Sequence, residues 1–129
     1  MRFERLRVLL VDDYPSMRRI MAKILSLIGV RTIAEAGSGP EALDKVKAEP
    51  FDLVITDWNM PDMGGLELVR ALKSRKELYN LQVIVASSTI TQQMVVQGKQ
   101  AGVAEYLAKP FAPDDLKQRI SRIFQIEFK

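Results

Sequence analysis

Four short apolar runs each stop on a residue that can do chemistry: "LLVDD" on Asp12 and Asp13, "LVITD" on Asp57, "VIVASST" on Ser87, Ser88 and Thr89, and "YLAK" on Lys109. The 129 residues contain no cysteine and no histidine, so thiolate ligands, imidazole ligands and a histidine base are excluded. Whatever chemistry occurs must use carboxylates, hydroxyls, lysines or a bound ion. Taken singly, each residue has a plainer reading: Asp12 and Asp13 as helix-start acids, the hydroxyls as helix caps, Lys109 as a surface lysine. Brought together, three carboxylates repel one another unless a cation joins them. Oxygen-only ligands favour Mg²⁺, or Mn²⁺, over zinc or copper. Mg²⁺ keeps several waters and typically takes one or two carboxylates plus a phosphate oxygen, so such a site implies a phosphoryl ligand. An aspartate can then serve as the nucleophile and form an acyl phosphate. Lys109 would balance charge on the phosphoryl oxygens, and a hydroxyl from the "ASST" stretch would donate a hydrogen bond.

Convergence depends on the elements that carry these residues. Five segments of strand length recur, at 6–11, 31–36, 52–56, 82–86 and 104–108, the second the least β-like. Helical spacing fills the gaps. In 15–28 the residues Met17, Ile20, Met21, Ile24, Leu25 and Ile28 fall on one face, with Pro15 suited to the first turn and Gly29 past the end. Similar stripes mark 40–48, 66–76 and 114–126, with Pro40 and Pro113 where helices can begin. The segment 91–101 is the weakest helix, since Thr91, Val95 and Val96 lose side-chain freedom and Gly98 costs about 1 kcal/mol relative to alanine. Strict alternation of strand and helix predicts a parallel sheet covered on both faces, whose ligands lie outside the carboxyl ends of the strands. All four polar run-ends then share one edge.

The totals are those of one globular domain, 47% hydrophobic and 27% charged, with a net charge of +3 spread along the chain except for Arg2, Arg5 and Arg7. Scattered basic residues read as a solvated surface, and no recognition helix is left over for nucleic acid. No apolar run approaches the roughly 20 residues of a membrane span, and "MRFERLR" lacks a signal-like apolar stretch. The expectation is a cytoplasmic protein with neither membrane nor nucleic-acid partner.

The combination of "VDD" ending at Asp13, "DWNMP" from Asp57 to Pro61, Gly65, Ser87, Tyr106 and "KPF" from Lys109 to Phe111 resembles the receiver domains of bacterial two-component response regulators, most closely the stand-alone chemotaxis regulators. The resemblance runs essentially the full length, and implies a single receiver domain over 1–129 with no output domain. It implies a doubly wound α/β fold of strand order 2-1-3-4-5, flavodoxin-like, with five helices. It implies that Asp57 is the phospho-acceptor, supplied by a sensor histidine kinase. Asp13 and Asp57 would be direct Mg²⁺ ligands, Asp12 would act mainly through water, and Asn59 would offer its backbone carbonyl. Lys109 would pair with the phosphoryl group, with a cis bond to Pro110. Ser87 would move toward the phosphoryl oxygens and Tyr106 would turn inward.

Output would then be a two-state change of the fourth helix, fifth strand and fifth helix, with Ile90, Val95, Lys99, Tyr106, Arg119 and Arg122 as contacts. The partner implied is a flagellar motor switch protein or another phosphorylation-dependent target, with a phosphatase as a further partner. Within "VITDWNMPDMGG", Pro61 and the glycines would fix the bend that follows Asp57. Two other functions compete. A phosphate sink or adaptor would use the same chemistry with a different output. A Mg²⁺ phosphatase with an aspartate nucleophile wants a second carboxylate two residues on, where this chain has Asn59.

Overall fold

The computed structural model describes residues 2–78 and 80–126. The apolar runs become strands and the striped segments become helices in strict alternation: β1 (Arg7–Val11), α1 (Pro15–Leu27), β2 (Thr32–Ala36), α2 (Gly39–Ala48), β3 (Leu53–Thr56), α3 (Gly65–Lys73), β4 (Gln82–Ser87), α4 (Gln92–Ala101), β5 (Glu105–Ala108) and α5 (Pro113–Phe124). The strands form one parallel sheet in the order β2-β1-β3-β4-β5, as expected for a doubly wound fold. Side-chain alternation along the strands divides the core in two. Val8, Leu10, Leu53, Ile55 and Ile84 face Met21 and Leu25 of α1 and Leu116 and Ile120 of α5. Leu9, Val11, Val54, Val83 and Val85 face Ala42 and Val46 of α2 and Leu68, Val69 and Leu72 of α3. Each fully buried leucine or isoleucine contributes about 2 kcal/mol, which is why the central strands are apolar on both faces.

Local signals set most boundaries. Pro15 stands in the first turn of α1, and Ser38 caps α2 by accepting from the Glu41 amide at 3.2 Å. Some expectations shift. Thr91 lies outside α4 as its cap, its hydroxyl accepting from the Met94 amide at 3.1 Å, so its β-branch never burdens the helix interior. The third helix ends at Lys73 rather than 76, and Lys76–Leu78 form a separate 3-10 turn. Ile20 belongs to the apolar stripe of α1 by spacing but is 54% exposed, because the stripe is wider than the sheet surface it covers. α4 buries only Met94 and Gly98, fewer residues than α2 or α3, so packing adds little to its weak propensity.

Candidate functional site

Register places the polar run-ends side by side. Val11 pairs with Thr56 and Ser87 with Ala108, so Asp12 and Asp57 follow one paired row and Lys109 follows the other. The backbone ties this edge together: the Asp12 amide donates to Ala36 O at 3.2 Å, the Asp57 amide to Val11 O at 3.2 Å and the Lys109 amide to Ser87 O at 2.8 Å. Lys109 Nζ then reaches across two strands, donating to Asp12 Oδ2 at 2.9 Å and Asp57 Oδ2 at 3.2 Å. Asp12 is fully buried and the Lys109 side chain is 10% exposed, so the ammonium is held where Coulomb attraction is poorly screened. The Asp57 side chain, 17% exposed, is the carboxylate that a reagent can reach. The bond between Lys109 and Pro110 is cis.

These groups line a crevice of about 240 Å³ with Tyr14, Ser16, Met17 and Ser88. A groove of about 760 Å³ runs on the other side of Trp58, toward Arg70 of α3 and Gln97 of α4, but neither Asp57 nor Lys109 lines it. The chemistry therefore belongs to the smaller crevice.

Asp12, Asp57 and Lys109 meet directly, Asn59 touches Asp57, and Ser87 and Tyr106 make other contacts. Ser87 is buried at the end of β4, its hydroxyl accepting from the Thr89 amide at 3.4 Å. It caps no helix, since that position falls to Thr91. Asn59 is exposed at the rim, its amide donating to Asp57 Oδ1 at 3.2 Å. Tyr106 sits away from the crevice, its hydroxyl donating to the carbonyls of Met94 at 2.9 Å and Val95 at 3.4 Å in α4. Burial pushes the Tyr106 phenol pKa up. Among the other contacts expected on the output face, Lys99 and Val95 are exposed, while Arg119 donates to Tyr106 O at 2.7 Å and Arg122 to Glu105 Oε1 at 3.1 Å.

Among the described residues no three acidic side chains form a ready-made cation cluster, because Lys109 stands between Asp12 and Asp57. The donor set nevertheless suits a hard ion. Asp13 Oδ1 is buried with no hydrogen-bond partner, an arrangement that costs free energy unless something binds there. A Mg²⁺ ion that retains its waters asks for only one or two carboxylates.

Three supporting features were not legible as such. Arg18 of α1 donates from Nη1 to Asp12 O at 2.6 Å and from Nε to Glu35 Oε1 at 3.0 Å, pinning the turn that carries the acid pair. Gly65 is required by close approach: a β-carbon there would collide with the Asp57 carbonyl oxygen and stand 3.0 Å from Trp58 Cα. The left-handed residue of the bend is Asp62, at φ 67°, and not a glycine. The expectation that the glycines set the bend by conformation is corrected: Gly64 and Gly65 are there for clearance against Trp58 and Asp57.

The model of the response regulator receiver domain family matches residues 8–121. The chain is 38% identical over 120 residues to chemotaxis protein CheY of Pseudomonas aeruginosa, covering 93% of this chain and 97% of that one. It is 36% identical over 122 residues to chemotaxis protein CheY-3 of Vibrio cholerae, covering 95% and 94%. The structure of Vibrio cholerae CheY4 superposes with a TM-score of 0.86 at 31% identity, over 92% of this chain and 98% of that chain. A parallel sheet wound in the order 2-1-3-4-5 is thus shared with a solved CheY4 structure along nearly its whole length, and the chain belongs to the response regulator receiver family, whose CheY-like members are signalling switches rather than classical enzymes.

Proposed function

We propose that the protein is a phosphorylation-activated switch of a two-component system in which Asp57 accepts a phosphoryl group from a histidine kinase. The observation that carries this is the Lys109 ammonium held between buried Asp12 and accessible Asp57. The crevice, about 240 Å³, has room for a phosphoryl group and a hydrated ion but is smaller than the roughly 300–1,000 Å³ of most small-molecule sites. A phosphohistidine on a protein surface suits such a site, because the rest of the donor stays outside.

In the transfer, an Asp57 carboxylate oxygen bonds to phosphorus as the phosphorus–nitrogen bond breaks. The departing imidazole keeps the electron pair and takes up a proton. Lys109, already 3.2 Å from Asp57, donates to the phosphoryl oxygens, and the Ser87 hydroxyl is placed to follow. Asp13, Asp57 and the Asn59 carbonyl would hold Mg²⁺ or Mn²⁺, with Asp12 acting through water, and the bound ion supplies charge neutralisation on the phosphoryl oxygens. Attack by water at phosphorus returns the Asp57 carboxylate and inorganic phosphate.

Phosphorylation withdraws Lys109 from its carboxylates and Ser87 from Thr89, and Tyr106 leaves α4 to fill the space. The face of α4, β5 and α5 thereby changes between two states. Residues 8–121, matched by the receiver family, act as one receiver unit in the cytoplasm. Upstream stands a sensor histidine kinase. The chemotaxis names of the relatives support a flagellar motor switch protein as target, with a phosphatase shortening the signal.

Trp58, the only tryptophan, adjoins Asp57 and reports the chemistry. Its emission is expected to change on adding Mg²⁺ and again on adding a small phosphodonor such as acetyl phosphate, and Asp57→Asn is expected to abolish only the second change. A wild-type chain that ignores the donor at saturating Mg²⁺ would overturn the proposal.

A further inference from the structure

α4 places a glycine, the poorest helix former after proline, within its last turn. The reason lies across the gap to β5. A β-carbon at position 98 would fall inside the Tyr106 hydroxyl, and would stand 2.8 Å from the ring carbon Cζ and 3.2 Å from Val103 Cγ2. The missing side chain is therefore a notch, and the Tyr106 hydroxyl fills it. From there the hydroxyl donates to Met94 O at 2.9 Å and Val95 O at 3.4 Å. In an α-helix the carbonyl of residue 94 is also the acceptor for the amide of residue 98, so the notch and the hydrogen bond belong to the same turn. Met94 is itself buried, and its amide is capped by Thr91. The Tyr106 hydroxyl thus reads the position of α4 from its cap to Gly98.

We propose that Gly98 is a positioning residue for Tyr106: by lacking a β-carbon it seats the phenol on the α4 backbone and so sets the resting state of the switch face. The functional consequence rests on the receiver switch proposed above, whereas the seat itself does not. Gly98→Ala gives α4 a better helix former and removes the seat. The obstructing atom is the free end of a side chain, so the ring swings away while the helix stays on the sheet. The vacated position resembles the state proposed for the phosphorylated protein, and the resting state loses its advantage.

Four full-length chains test this: wild type, Gly98→Ala, Tyr106→Ala and the double variant. In the Tyr106→Ala background, Gly98→Ala is expected to raise the thermal midpoint by about 4 °C, the ordinary gain of alanine over glycine in a helix. In the presence of Tyr106 the gain is expected to shrink or reverse. The ring NMR signals of Tyr106, identified by their loss in Tyr106→Ala, are expected to move in Gly98→Ala while those of Tyr14 stay. The rate constant for Asp57 phosphorylation by acetyl phosphate, read at Trp58, is expected to rise about three-fold or more. Equal midpoint gains in both backgrounds, or unmoved Tyr106 signals, would overturn the seat. A displaced ring with an unchanged phosphorylation rate would overturn the positioning role. Absence of any donor response in the wild-type chain would count against the switch itself and leave the seat to be judged by the midpoints alone.

Discussion

Gly65 and Asp57 meet backbone to side-chain position at the start of α3, and the clearance between them is set by a single hydrogen atom. Gly65→Ala forces either the Asp57 carbonyl or the first turn of α3 to move, and is expected to cost about 3 kcal/mol of stability. Urea unfolding monitored by far-UV circular dichroism would measure it, and a loss below about 1 kcal/mol would show that the loop yields freely. The same stretch shows where sequence reading stops. That Asp57 ends a strand and that prolines and glycines follow is visible in the letters. That Asp62 adopts the left-handed conformation while the glycines provide clearance depends on which atoms face one another. The role of Arg18 is hidden from the letters for the same reason: its partners are the carbonyl of Asp12, which no residue type encodes, and the carboxylate of Glu35 on β2, brought to α1 only by the fold.

The strands and helices follow from periodicity because each run length and stripe width matches one element. Their disagreements with expectation are at ends and exposed faces, where packing rather than pattern decides. Ile20 keeps helical spacing yet meets solvent, and α3 ends at Lys73, one residue past the last apolar position of its stripe and three short of the expected end. α4 is the informative element, because weak propensity, shallow burial and the Tyr106 contact coincide there. The raised pKa of Tyr106 comes from burial, so the folded chain retains the phenol proton more tightly than the unfolded chain. Its contribution to stability is intact below the unfolded value of 10.0 and is lost as pH rises through the folded value. The phenolate absorbance of wild type minus Tyr106→Phe should therefore titrate above the ordinary value. A difference curve centred at or below it would mean that the hydroxyl is free of α4.

At the scale of the molecule, the fold stabilises a site that is itself unfavourable. Asp13 Oδ1 is buried without a hydrogen-bond partner among the described residues, beside Asp12, whose ammonium partner Lys109 is shared with Asp57. Asp13→Ala is expected to raise stability in the absence of divalent ions by about 1 kcal/mol, by removing an unsatisfied buried oxygen. Binding linkage predicts the reverse with metal present. Mg²⁺ at ten times its dissociation constant should stabilise the wild-type chain by about 1.4 kcal/mol, and Asp13→Ala should lose most of that increment. Thermal unfolding with and without Mg²⁺ measures both, and an equal Mg²⁺ effect in the two chains would remove Asp13 from the binding site. Lys109 carries one more consequence. It bonds to residues 97 and 52 positions earlier in the chain, from the end of the last strand. During synthesis the acids emerge first and remain without their ammonium until β5 has left the ribosome and docked on β4. A nascent chain therefore cannot assemble the charge-balanced cluster of Asp12, Asp57 and Lys109, which closes only when translation of the domain is nearly complete.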